Sequence, residues 1–104
     1  MNKQKIMKQA KQNADNGIRQ KEGGPFGAVI TDKEGNIISN GNNQVLKQKD
    51  PTAHAEMVAI RNACKKLDKY DLSDYILYTS CEPCPMCLSA IIWANIKEVY
   101  YGCT

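Results

Sequence analysis

Between residues 3 and 19, Ile6, Met7, Ala10, Ala14 and Ile18 fall mostly three or four positions apart among lysines, glutamines and asparagines. That spacing predicts an amphipathic helix with one buried stripe, its last turn weakened by Gly17. Glu22-Gly23-Gly24-Pro25 breaks the pattern, and Phe26-Gly27-Ala28-Val29-Ile30-Thr31 follows as a short apolar run suited to a strand covered on both faces. Asp32-Lys33-Glu34-Gly35-Asn36 has the composition of a turn, and Ile37-Ile38-Ser39-Asn40 reads as the returning strand of an antiparallel hairpin. Gly41-Asn42-Asn43 ends that strand. A polar loop then runs to Asp50-Pro51-Thr52, where a capping oxygen followed by proline is a helix-start signal.

From residue 53 to about 67, Met57, Val58, Ile60, Ala63, Cys64 and Leu67 recur at helical spacing. Lys65 and Lys66 suit the negative end of that helix. Tyr75-Ile76-Leu77-Tyr78-Thr79 has the β-branched and aromatic content of a strand. Residues 84–94 are expected to be helical, with Pro85 in the first turn, where it forfeits no hydrogen bond, and Leu88, Ile91, Ile92 and Trp93 supplying apolar surface. Lys97-Glu98-Val99-Tyr100-Tyr101 is the fourth strand. Helix, hairpin, helix, strand, helix and strand in that order predict an α/β fold: a mixed sheet, right-handed crossovers and helices on both faces.

A chain of 104 residues is expected to form one domain, residues 1–104, burying roughly two-thirds of its unfolded surface. The net charge of +3 is mild. Lys3, Lys5, Lys8, Lys11, Lys65, Lys66 and Lys69 are interleaved with Asp15, Glu22, Asp68 and Asp71, and no aromatic residues accompany them for stacking on bases. A solvated face is favoured over a nucleic-acid contact. No apolar run approaches the roughly 18 residues of a membrane span, so no membrane partner is expected. Five cysteines, an odd number with three bunched together and no apolar leader before them, indicate a reducing, cytoplasmic setting.

The bunched thiols carry the chemistry. In Cys81-Glu82-Pro83-Cys84-Pro85-Met86-Cys87, the last two cysteines are three residues apart at a strand-to-helix junction, which puts both sulfurs on one face of a first turn. Two thiolates do not complete a tetrahedral zinc site, and the single histidine of the chain, His54, opens the preceding helix. One nitrogen and two sulfurs would leave a fourth position for water, whose pKa zinc lowers toward about 7. Glu56, two residues beyond His54, can reach that water and serve as proton carrier. A redox pair, or a structural zinc site closed by Cys81, are the alternative readings of the same cysteines.

The two segments Pro51-Thr52-Ala53-His54-Ala55-Glu56 and Cys81 to Cys87 resemble the paired motifs of the cytidine deaminase-like superfamily of zinc-dependent nucleobase deaminases. Gly23-Gly24-Pro25-Phe26-Gly27-Ala28 and Asn42-Asn43 are similar to its guanine deaminase branch. The resemblance covers nearly the whole chain and implies a three-layer α/β/α fold. It makes His54, Cys84 and Cys87 the Zn2+ ligands and Glu56 the proton shuttle. Asn43 would be a substrate-binding amide, Phe26 a stacking face, and Ala55 the donor of a backbone N–H to the substrate. The reaction implied is hydrolytic deamination of a small-molecule nucleobase, guanine to xanthine plus ammonia. Transfer-RNA adenosine, cytosine or a nucleoside, and a zinc-binding form without turnover, are the alternatives.

Relatives in this superfamily continue with a fifth strand and terminal helices beyond the position of Gly102-Cys103-Thr104. The expectation is therefore an unpaired edge along residues 99–101, covered in a homodimer or larger homo-oligomer. Trp93 and Tyr100 are expected in the core or at a subunit contact, and Cys64 as a buried small hydrophobe. Cys81 and Cys103 match no ligand position.

Overall fold

The computed structural model describes residues 3–102; Cys103 lies outside them. Eight elements follow in order: α1 (Lys3–Arg19), β1 (Gly27–Asp32), β2 (Ile37–Asn42), α2 (Val45–Gln48), α3 (Ala55–Leu67), β3 (Tyr75–Thr79), α4 (Pro85–Trp93) and β4 (Glu98–Tyr101). The strands form one sheet in the order β2-β1-β3-β4. β1 runs antiparallel to both β2 and β3, whereas β3 and β4 are parallel. The sheet is thus mixed, with β2, β3 and β4 pointing the same way.

Alternation along the central strands separates two apolar layers. Val29, Ile76 and Tyr78 pack with Ile6 and Ala10 of α1 on one face. Ala28, Ile30 and Leu77 pack on the other with Ala55, Ala59, Ile60 and Ala63 of α3 and with Ile91 of α4. β1 is buried from Gly27 through Thr31, as expected of a strand covered on both sides. The three-layer arrangement predicted from the sequence is the one observed.

Several local expectations are corrected. The buried stripe of α1 contains Asn13 and Gly17, while Ile18 is 48% exposed. Asn13 donates from Nδ2 to the Ala28 carbonyl and to Asn40 Oδ1, both at 3.0 Å, so a polar residue ties α1 to the sheet where periodicity asks for an apolar one. The polar loop after β2 contains the single-turn helix α2. Asp50-Pro51-Thr52 does not start α3: Asp50 Oδ1 accepts hydrogen bonds from the backbone N–H and hydroxyl of Thr52 at 2.8 and 2.7 Å, closing a turn of its own. The helix begins at Ala55, with His54 as its extended N-cap. Trp93 is 84% exposed, so it is not a core residue. Tyr100 is half-buried and stacks on Tyr78, ring centroids 5.3 Å apart.

One close approach fixes where α3 starts. A Cβ on Gly41 would lie 2.3 Å from the Ala55 carbonyl oxygen and 2.7 Å from the Ala59 nitrogen. Only a residue without a side chain lets the end of β2 rest against the first turn of α3.

Candidate functional site

The parallel strands β2 and β3 both end on the same side of the sheet, where the helices that follow them begin. Ligand sites of open α/β sheets form in this crevice outside the strand ends. The turn after β3 is held to the start of β1, since Ser80 N donates to the Gly27 carbonyl at 2.9 Å and Ser80 Oγ accepts from Gly27 N at 3.0 Å. The segment after β2 is held to the approach to α3, Gln44 N donating to the Ala53 carbonyl at 2.8 Å. The two helix starts are thereby brought face to face.

His54 caps α3 and Cys84 caps α4, both with extended backbone, and neither side chain is used for capping. His54 Nδ1 lies 3.6 Å from Cys84 Sγ and 3.7 Å from Cys87 Sγ. Zinc bonds of about 2.3 Å to sulfur and 2.0–2.1 Å to nitrogen, opened to a tetrahedral angle, put such atoms about 3.6 Å apart. The three residues fit a zinc ion. They form the group able to hold a metal among the described residues, and neither Cys81 nor an acidic side chain belongs to it. Cys81 is instead bound through its backbone to Thr79, whose hydroxyl accepts from Cys81 N at 3.2 Å and donates to the Cys81 carbonyl. A three-residue set leaves one tetrahedral position for a non-protein ligand, which separates catalytic from structural zinc sites.

Glu56, in the first turn of α3, is only 7% exposed. Burial pushes its carboxyl above the usual range, against the opposing pull of its own backbone N–H, of His54 and of a hydrogen bond with Cys87. Burial also pushes the Cys87 thiol up, with Glu56 and Cys84 adding to the shift. Glu56 and Cys84 thus disfavour the Cys87 thiolate in this poorly solvated corner, and a divalent cation beside it would reverse that preference.

Phe26, Asn43, His54, Glu56, Glu82 and Cys84 line one cavity of about 280 Å³. It lies just below the roughly 300–1,000 Å³ of pockets for drug-sized ligands, a size suited to a bare heterocycle. A broader groove of about 810 Å³ along α3 shares none of these residues. Phe26 is 41% exposed, which removes strand-core packing as its role and leaves a ring face for the cavity. Asn43 is buried, its N–H donating to the Phe26 carbonyl at 3.1 Å and its Oδ1 accepting from Val45 N at 3.1 Å. The side-chain oxygen is thereby turned toward the Val45 N–H, and the NH2 group is the donor Asn43 can offer a ligand. Ala55 is fully buried beside His54 and contributes no side chain to the cavity. Glu82 lines it without having been expected there; its place inside the cysteine motif was the available signal.

Residues 1–103 match the family described as the cytidine and deoxycytidylate deaminase zinc-binding region. The chain is 57% identical over 102 residues to the guanine deaminase of Bacillus subtilis, an alignment covering 98% of this chain and 65% of that protein. It is 46% identical over 78 residues to a tRNA-specific adenosine deaminase of Haemophilus influenzae, covering 75% of this chain and 45% of the relative. The crystal structure of the Bacillus subtilis guanine deaminase superposes with a TM-score of 0.93 at 56% identity, over 97% of this chain and 64% of that one. The chain thus spans about two-thirds or less of the length of these relatives. With three side chains at zinc spacing that could hold a metal ion, on a matching fold, the chain belongs to the cytidine and deoxycytidylate deaminase zinc-binding family.

Proposed function

We propose that the protein is a zinc-dependent hydrolytic deaminase of a nucleobase, converting guanine and water to xanthine and ammonia. The observation that carries this reading is the His54–Cys84–Cys87 cluster at zinc spacing, with His54 and Cys84 lining the same small cavity as the buried carboxyl of Glu56. His54, Cys84 and Cys87 would hold the metal. When bound, zinc supplies the charge that makes a water acidic near neutral pH.

Glu56 takes a proton from the attacking water and delivers it to the amino nitrogen that departs as ammonia, so that a C–O bond forms as the C–N bond breaks. Its burial suits both halves of that task, because a carboxyl with a raised pKa holds a proton long enough to pass it on. The free NH2 of Asn43 donates to an acceptor on the purine edge, and the exposed ring of Phe26 offers a face for the base. The backbone N–H of Ala55, at the positive start of α3, is a further donor toward substrate polar atoms. The guanine deaminase similarity favours guanine. Transfer-RNA adenosine is the second reading, supported by the Haemophilus influenzae relative; the small cavity favours the free base.

The protein assembles as a homodimer or larger homo-oligomer, a reading supported by the exposed Leu88, Ile92 and Trp93 on α4. Thiolate ligands that must stay reduced favour a cytoplasmic setting; no helix among the described residues is long and apolar enough to cross a membrane.

Ammonia release from guanine, adenine, cytosine and their nucleosides, compared between the protein and its Glu56→Ala variant at equal zinc content, tests the reaction. Release from guanine that falls by at least about 100-fold in the variant is expected. Release from another base alone would reassign the substrate, and undiminished release from the variant would remove Glu56 from the mechanism.

A further inference from the structure

Glu22 lies in the connection between α1 and β1, outside the zinc motifs and outside the cavity lining. Its side chain and its backbone nonetheless both bind the segment that carries Asn43. Its Oε1 accepts from Asn42 Nδ2 at 2.8 Å, and its Oε2 pairs with Lys47 Nζ at 3.1 Å. Its backbone carbonyl accepts from both Leu46 N and Lys47 N at 3.0 Å, and its own N–H donates to the Gly17 carbonyl at 2.9 Å. Only 13% of the side chain is exposed, although Lys47 is 57% exposed. Asn42 holds the Glu22 carboxyl below its usual range, with Lys47 adding to the effect, so the group is charged at neutral pH.

Every partner of Glu22 on the far side belongs to the segment that carries Asn43. Asn42 Nδ2 also donates to the Asn43 carbonyl at 3.2 Å, and Asn42 Oδ1 accepts from Gln44 Nε2 at 3.1 Å. Gly17 leaves the room this requires, since a Cβ there would lie 2.6 Å from Asn42 Nδ2. The neighbour of Glu22 completes the clamp: a Cβ on Gly23 would lie 2.1 Å from Asn43 Oδ1 and 2.5 Å from the Asn43 carbonyl oxygen. A half-buried carboxylate and the peptide after it thus press on Asn42, Asn43 and α2 together. The Val45 N–H that occupies Asn43 Oδ1 is itself the first residue of α2, the helix whose next two N–H groups are held by the Glu22 carbonyl.

We propose that Glu22 is a positioning residue for the base: through Asn42, and through the first turn of α2, it fixes the Asn43 amide with its oxygen turned to Val45 and its NH2 left for the purine. This inference rests on Asn43 as a base-binding amide. Removing the Glu22 side chain frees Asn42 and Lys47 but leaves the metal ligands and Glu56 untouched. The loss therefore falls on binding of the base and not on the chemical step.

The test combines two readouts on the zinc-loaded protein. In steady-state ammonia release from guanine, Glu22→Ala is expected to raise KM about 10-fold with kcat within about threefold. Glu22→Gln, which keeps an acceptor for Asn42, should recover most of that loss. In an Asn43→Ala background, Glu22→Ala should change KM by less than about twofold, because its effect passes through Asn43. Full additivity, or a fall in kcat matching the rise in KM, overturns the proposal.

Independently of turnover, the Asn43 side-chain ¹⁵NH2 resonances, identified by their loss in Asn43→Ala, should shift or broaden in Glu22→Ala and stay in place in Glu22→Gln. Unchanged resonances in Glu22→Ala would overturn the positioning role. Altered resonances in a protein that releases no ammonia from guanine would uphold it and reject the substrate reading alone.

Discussion

Cys87 illustrates how a residue's surroundings decide its chemistry. Buried next to Glu56 and Cys84, it resists ionisation on its own, so neither easy oxidation nor nucleophilic attack is favoured without a cation beside it. Its sulfur lies 3.7 Å from His54 Nδ1, where a zinc ion makes the thiolate its stable form. Cys87→Ala is therefore expected to bring zinc well below one ion per chain in metal analysis of protein purified without chelator. Cys81→Ala should keep full stoichiometry, since Cys81 stands outside the ligand group; loss of zinc there would make it a ligand. The grouping of His54 with Cys84 and Cys87 was legible in the sequence because two thiols at a three-residue step do not complete a tetrahedral metal site, and the chain has one histidine to add. The place of Glu22 was not, because an acidic residue in a polar stretch carries no sign of which way it faces.

The elements repeat this contrast between regular and irregular segments. Both long helices follow from their apolar spacing and β3 from its β-branched and aromatic content, and the mixed sheet follows from their order. What the spacing could not supply is the stretch from Glu22 to Phe26 and from Asn42 to His54, held by side-chain and turn hydrogen bonds. There α2 forms against the Glu22 carbonyl, and Asp50 closes a turn ahead of α3. The exposed Ile18 beside a buried Asn13 has the same origin, since Asn13 replaces apolar contact with hydrogen bonds to the sheet. Gly41 is the close contact between the end of β2 and the first turn of α3. Gly41→Ala would push a methyl into the Ala55 carbonyl and is expected to cost about 1–3 kcal/mol in urea unfolding. An unchanged midpoint would show that β2 and α3 do not rest on one another so closely.

For the molecule as a whole, apolar surface left outside the two core layers sets the expected assembly. Ile92 and Trp93 are 73% and 84% exposed on α4, and β4 lies at one edge of the described sheet with Tyr101 46% exposed. Sedimentation is expected to give a dimer or larger species, and Trp93→Glu to shift it toward monomer by placing a charge in an apolar contact. A monodisperse monomer would contradict that assembly. The proposed deaminase requires the metal site to be open, because the same fold with a closed site would have no place for water. X-ray absorption at the zinc edge on the loaded protein measures this directly. Two sulfur neighbours near 2.3 Å and two nitrogen or oxygen neighbours near 2.0 Å, about one zinc per chain, are expected for His54, Cys84, Cys87 and one solvent ligand. Three or four sulfur neighbours would mean a closed structural centre and would contradict the proposed deaminase.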